Sequence, residues 1–146
     1  MKVLIAYDSV HGNTEKIAKA IGDGMTAQVE ILHASEVTNE KLSSVDLLVV
    51  GSPTYGGKPT PTMQALLERI NESSIKGVRI AAFDTRLSSR FVRLFGFAAE
   101  KISSDLAGKG GAITAPPEGF FVKGRTGPLK QGELERAAAW GKTIAI

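Results

Sequence analysis

KVLIAYDSVHGNTEKIAK, residues Lys2 to Lys19, carries three physical patterns in one short stretch. Val3 to Tyr7 is an unbroken apolar run, the mark of a strand buried on both faces. Asp8 to Asn13 is polar and contains Gly12, so the chain turns there. From Thr14 the apolar positions Ile17, Ala18 and Ile21 recur at helical spacing, which predicts a helix. A turn of this kind ahead of a helix aims several unpaired backbone N–H groups, and the positive end of the helix dipole, at one spot. Such a spot suits a phosphate.

Strand and helix patterns alternate along the rest of the chain. The first helix ends near Gly22 to Gly24, and Val29, Ile31 and His33 then suggest a short strand at a sheet edge. A polar connection, Ser35 to Ser44, leads to a third strand, Asp46 to Gly51, whose apolar core suits burial on both faces. The loop SPTYGGKPTP, Ser52 to Pro61, holds too many prolines and glycines for regular structure. A helix starts near Thr60 or Pro61, with Met63, Leu66, Leu67 and Ile70 as its apolar stripe. A fourth strand, Val78 to Phe83, stops at Asp84, Thr85 and Arg86. Phe91, Leu94, Phe95, Ala98, Ala99, Ile102 and Leu106 form the core stripe of the next helix, which Gly108 to Gly111 end. The fifth strand, Ala112 to Val122, is interrupted by Pro116 and Pro117, so it is an edge strand or one broken in two. The last helix begins near Lys130, with Leu134, Ala137, Ala138 and Gly141 on one face and Trp140 as a packing anchor.

This alternation predicts a single α/β domain over residues 1–146, a three-layer doubly wound sandwich with a five-stranded parallel sheet. Such sheets bind ligands beyond the carboxyl ends of their strands. Three loops meet at that edge: Asp8 to Asn13, Ser52 to Pro59, and Asp84 to Ser89.

Composition narrows the classes. With 42% hydrophobic and 23% charged residues the chain has a globular balance, not that of a disordered one. It has no cysteine, which removes disulfides, thiolate metal sites and cysteine nucleophiles and fits a reducing compartment. No apolar segment approaches the roughly 20 residues of a membrane span, and the opening run is too short for a signal-peptide core. A soluble, cytoplasmic protein is expected. The net charge is +3, with basic residues grouped at Lys123, Arg125 and Lys130 and at Arg86, Arg90 and Arg93. No stacking aromatics are interleaved with them, which favours solvated surface over a nucleic-acid site.

The first loop lacks the lysine and two-glycine spacing of a nucleoside-triphosphate loop, and the chain has no G-x-G-x-x-G for a dinucleotide. A single phosphate monoester fits better. The second loop sets Tyr55 beside Gly56 and Gly57, where a flat ring can approach the backbone. Phosphate at one loop and a flat ring at the next is what a mononucleotide such as FMN requires. The alternative is that Gly12-Asn13-Thr14 is only a helix cap and SPTYGG only a turn. Two histidines assemble neither a metal site nor a Ser-His-Asp arrangement, and Asp8 lacks the acidic neighbour of a phospho-accepting receiver domain. His11 either hydrogen-bonds a phosphate or faces solvent, and His33 has a structural place at a strand end.

IAYDSVHGNTEKIAKAI resembles the phosphate-loop pattern of the flavodoxin-like family, and VVGSPTYGG after the third strand supports the likeness, with the element order matching over nearly the whole chain. The resemblance implies that Ser9, His11, Gly12, Asn13 and Thr14 hold the phosphate of FMN without a cationic side chain. It implies that Pro53, Thr54, Tyr55, Gly56 and Gly57 border the isoalloxazine ring, and that Asp84, Thr85 and Arg86 form a second ring-binding loop. The chemistry implied is electron transfer, the flavin cycling between oxidised, semiquinone and hydroquinone states, with a Gly56 or Gly57 carbonyl turning to accept a hydrogen bond from the reduced ring. The chain departs from electron-shuttling members in two respects. Its loop after the fourth strand reads DTRLSSR in place of a second stacking tyrosine, and its charge is basic. Acidic surroundings penalise an anionic reduced flavin, so a basic site with Arg86 nearby makes the second electron easier to add. An acidic redox partner suits such a surface.

Two other readings stay open. One is a flavodoxin-like interaction module without tight flavin binding, for which the missing second aromatic speaks. The other is a small FMN-dependent quinone reductase, against which the absence of long insertions counts. The segment KGRTGPLKQG is either a partner-docking surface or a plain connection to the last helix.

Overall fold

The computed structural model describes residues 1–88 and 96–146. Its strands form one parallel sheet of β1 (Lys2–Tyr7), β2 (Gln28–His33), β3 (Leu47–Pro53), β4 (Arg79–Leu87), β5 (Ala112–Ile113) and β6 (Glu118–Val122). The order is β2-β1-β3-β4-β5, with β6 pairing the far half of β4. Four longer helices, α1 (Asn13–Asp23), α2 (Pro61–Arg69), α3 (Ala98–Gly108) and α4 (Glu133–Ile144), cover the two faces. This is the expected three-layer α/β sandwich.

Strand alternation sends neighbouring residues to opposite faces. Leu4, Leu48, Val50, Ile80 and Ala82 pack with Met63, Leu66, Ile102 and Leu106 of α2 and α3. Val3, Ile5, Leu47, Val49, Ala81 and Phe83 pack on the other face with Ile17, Ile21, Ala137 and Ile144 of α1 and α4. There Phe83, Phe120 and Trp140 meet edge to face, with ring centroids 6.0–6.3 Å apart. Trp140 is thus the packing anchor expected. α1 and α4 touch backbone to backbone: a Cβ on Gly141 would lie 2.1 Å from the Ile21 carbonyl oxygen.

Several boundaries differ from the sequence reading. β4 does not stop at Phe83 but runs on through Asp84, Thr85 and Arg86 to Leu87, because β3 pairs with Asp84 and Thr85 and β6 pairs with Phe83 to Leu87. Polar side chains conceal a strand when its backbone partners lie far away in sequence. The fifth strand is both things expected, an edge and broken: β5 pairs with Arg79 and Ile80, and the chain resumes as β6 after Pro116 and Pro117. The last helix begins at Glu133, and Leu134 is exposed, not part of its buried face. Single helical turns at Asn39–Leu42 and Glu72–Ile75 were too short to leave a periodic signal. Phe91, Leu94 and Phe95 of the expected helix stripe, with Ser89, Arg90 and Arg93, lie outside the described residues.

Candidate functional site

β1 ends at Tyr7, β3 at Pro53 and β4 only at Leu87, so the carboxyl edge of the sheet is stepped. The step forms the floor of a cavity of about 610 Å³, within the roughly 300–1,000 Å³ usual for cofactor sites. Ten of the residues expected from sequence line it: His11, Asn13, Thr14, Pro53, Thr54, Tyr55, Gly56, Gly57, Thr85 and Arg86. Ser9, Gly12 and Asp84, also expected at the site, do not line it. The structure adds Val10, Leu87, Val122, Arg125 and Thr126. The last two come from the far end of the chain, and only the third dimension brings them to the loop after β1.

At one end of the cavity is the start of α1. Ser9 Oγ accepts from the N–H groups of Gly12 at 3.1 Å and Glu15 at 3.4 Å. The N–H groups of Asn13 and Thr14 have no acceptor among the described residues. Those free donors at a helix start fit an anion such as a phosphate. Thr14 Oγ1 lies 2.8 Å from Thr85 Oγ1 in a buried contact that ties the helix start to β4. Asn13 Nδ2 donates to the Thr126 carbonyl at 3.3 Å, so this side chain holds a neighbouring loop. His11 is exposed on the cavity wall.

At the other end is the loop after β3. Tyr55 and Lys58 exchange two backbone hydrogen bonds of 2.8 and 3.0 Å across Gly56 and Gly57. The two glycines have φ of 56° and 78°, as a two-residue reversal of this hand requires. The turn holds Tyr55 outward, 44% exposed, at the cavity rim. An aromatic side chain and bare glycine backbone facing a cavity fit a flat ring system.

Behind the cavity two buried carboxylates brace the loops. Asp8 accepts from Thr60 Oγ1, faces His33 Nε2 at 2.9 Å, and so joins the end of β1 to the cap of α2 and to β2. Thr60 also caps α2 by accepting from the Met63 N–H at 3.2 Å. His33 therefore has the structural place expected of it. Asp84 is fully buried and bound by Arg86 through two bonds of 2.7 and 2.9 Å, and it accepts from the Ala99 N–H at 2.9 Å. Burial pushes the Asp84 carboxyl above its ordinary value, against the pull of Arg86. The Arg86 guanidinium lies 3.5 Å from the Phe97 ring centre and against Gly119, where a Cβ would lie 2.2 Å from its Nε. Arg86 is thus not the free tuning charge anticipated from sequence, because Asp84 matches it at contact distance.

The loop between β6 and α4 is not the plain connection that was one of its two readings, since Arg125 and Thr126 line the cavity. Lys130 donates to Ser88 Oγ at 2.7 Å, and Lys123 is exposed. Among the described residues no cluster of acidic or histidine side chains is arranged to hold a metal, and no helix is long and apolar enough to cross a membrane.

An open parallel sheet of this order, with its cavity where the connections from β1 and β3 diverge to opposite faces, defines a doubly wound ligand-binding domain. The family model described as a flavodoxin domain matches residues 4–93. The chain belongs to the flavodoxin family, whose members bind FMN and transfer electrons. A flavodoxin of Clostridium saccharobutylicum is 26% identical over 99% of this chain and 96% of its own length. An uncharacterized protein of Methanocaldococcus jannaschii is 38% identical over 52% of this chain, and the match spans only 50% of that relative. Among solved structures, one titled as a flavodoxin from the domain Archaea superposes with a TM-score of 0.83 at 25% identity, covering 99% of this chain and 96% of that one.

Proposed function

We propose that this chain holds FMN in the cavity at the carboxyl edge of its sheet and serves as an electron-transfer protein for redox partners with acidic docking surfaces. The observation that supports this most is the convergence of two loops on one cavity: Asn13 and Thr14 with free backbone donors, and Tyr55 to Gly57 with an aromatic face and bare backbone. Ser9, Gly12, Asn13 and Thr14 would hold the phosphate, with His11 beside it. Pro53 to Gly57 would border the ring on one side, and Thr85 and Arg86 on the other. Asp84 acts through Arg86, fixing its guanidinium. The flavin, when bound, supplies one-electron and two-electron chemistry.

The chain's own part is to bind, orient and shield. Thr14 and Thr85 hold the two ends of the site in register, and Asp8 holds the phosphate loop and the ring loop together through Thr60. Tyr55 leaves one side of the cavity open to a partner. Arg125 is exposed on the cavity wall and Lys58 is exposed next to the Gly56-Gly57 turn, while Asp8 and Asp84 of the same edge are buried. A rim of this sign attracts an acidic protein and steers its approach. A reducing cytoplasm suits a cysteine-free carrier of this kind.

The test is a titration of the flavin-free protein with FMN and with riboflavin, followed by quenching of flavin fluorescence. Tight FMN binding with riboflavin at least tenfold weaker is expected. Equal or absent binding of the two would refute the assignment.

A further inference from the structure

The segment 123–128 leaves β6 and folds back beside it. Lys123 N–H donates to the Pro128 carbonyl at 2.9 Å, and Lys130 N–H to the Phe121 carbonyl at 2.9 Å, closing a small hairpin. Its tip is fastened to the loop after β1. Besides the bond from Asn13 Nδ2 to the Thr126 carbonyl, Gly127 lies so near that a Cβ there would be 2.7 Å from the Asn13 amide. Gly127 has φ of 102°, a conformation that side chains avoid. The attachment makes Arg125 part of the same cavity wall as Asn13 and Thr14. Unlike Arg86, Arg125 makes no ion pair among the described residues.

We propose that Arg125 is a specificity-determining residue for the phosphate of the ligand, adding one cation to a site whose other donors, on Ser9 to Thr14, are neutral. The inference rests on the FMN reading above. A guanidinium presents a planar fork of N–H donors that matches phosphate oxygens. Because Arg125 is exposed, its attraction is screened by salt. It therefore leaves a signature that the neutral donors do not: a part of the FMN affinity that falls with ionic strength and is absent for riboflavin.

The experiment titrates the flavin-free wild type, Arg125→Gln and Arg125→Lys with FMN and riboflavin at low and at high salt, with thermal midpoints measured alongside. Arg125→Gln should weaken FMN about tenfold at low salt, leave riboflavin unchanged, and approach wild type at high salt. Arg125→Lys should recover part of the loss. Equal FMN affinity for wild type and Arg125→Gln at both salt concentrations would overturn the proposal. So would an equal weakening of FMN and riboflavin, which would reduce Arg125 to a part of the hairpin's fold. A wild type that does not distinguish FMN from riboflavin would instead overturn the FMN reading, and this inference with it.

Discussion

Arg86→Met isolates the buried ion pair behind the cavity. Methionine keeps an apolar stem against Phe97 but removes both guanidinium bonds to Asp84. Asp84 is 0% exposed, so water cannot replace what is lost, and the Ala99 N–H is left as its backbone donor. Removing one partner of a buried pair costs about 3–5 kcal/mol. Arg86 is 15% exposed, so the low end, about 3 kcal/mol, is expected. That is a large part of a total stability of about 5–15 kcal/mol. The deficit should also depend on pH. Burial already raises the Asp84 carboxyl, and losing Arg86 removes the strongest opposing pull. A carboxyl raised in the folded state stabilises the fold below its unfolded value, an effect lost as pH rises through the folded value. The deficit of the variant should therefore grow toward neutral and higher pH, where the carboxyl is most ionised, and shrink as pH falls through its raised folded value. Urea denaturation of the flavin-free protein across this range reads both quantities. A loss under about 1 kcal/mol at neutral pH, or one constant with pH, would refute the idea that Asp84 is a buried charge held by Arg86.

Other substitutions probe the close approaches and the braces. Gly141→Ala drives a Cβ against the Ile21 carbonyl of α1, where only separation of the helices can relieve it; a loss of about 1–3 kcal/mol in urea midpoint analysis is expected. Gly51→Ala places a Cβ 2.0 Å from Phe83 Cζ and should cost a similar amount, with the Trp140 fluorescence shifting as the aromatic cluster repacks. Thr60→Val removes the cap of α2 and the hydroxyl that binds Asp8; about 1–2 kcal/mol should be lost, together with weaker FMN binding as the two loops come apart. Reduction by an acidic redox protein should slow as salt is raised from low ionic strength, measured by stopped flow, whereas a basic partner should show the opposite trend.

The sequence displayed the fold where local pattern and tertiary role coincide. Val3 to Tyr7 and Leu47 to Val50 are central strands and read as such because both faces must be apolar. Ile17, Ala18 and Ile21 mark α1 because a single face is buried. The pattern was silent where pairing with distant chain decides the outcome. Asp84, Thr85 and Arg86 look like a loop by composition, yet β3 on one side and β6 on the other make them strand. The site followed the same division. The loops after β1 and β3 announce themselves by Gly12-Asn13-Thr14 and by Tyr55-Gly56-Gly57, since a tight turn and a close approach demand those residue types. Arg125 and Thr126 do not, because nothing local says that a segment over a hundred residues beyond Asn13 folds back against it. The one available signal was the glycine-rich composition around a cation, which a surface loop shares. The pairing of Asp84 with Arg86, two residues apart on one strand edge, could have been suspected from an acid and a base on the same face.

The central claim is that one cavity takes a phosphate at the start of α1 and a flat ring at the Gly56-Gly57 turn. Backbone amide NMR of the isotope-labelled chain, titrated with FMN and then with riboflavin, addresses both ends at once. FMN should move the resonances of Gly12, Asn13 and Thr14 together with those of Tyr55, Gly56 and Gly57, while riboflavin should move chiefly the second set. Shifts confined to the polar groove lined by Lys58, Gln64 and Lys101, or none at either loop, would contradict it.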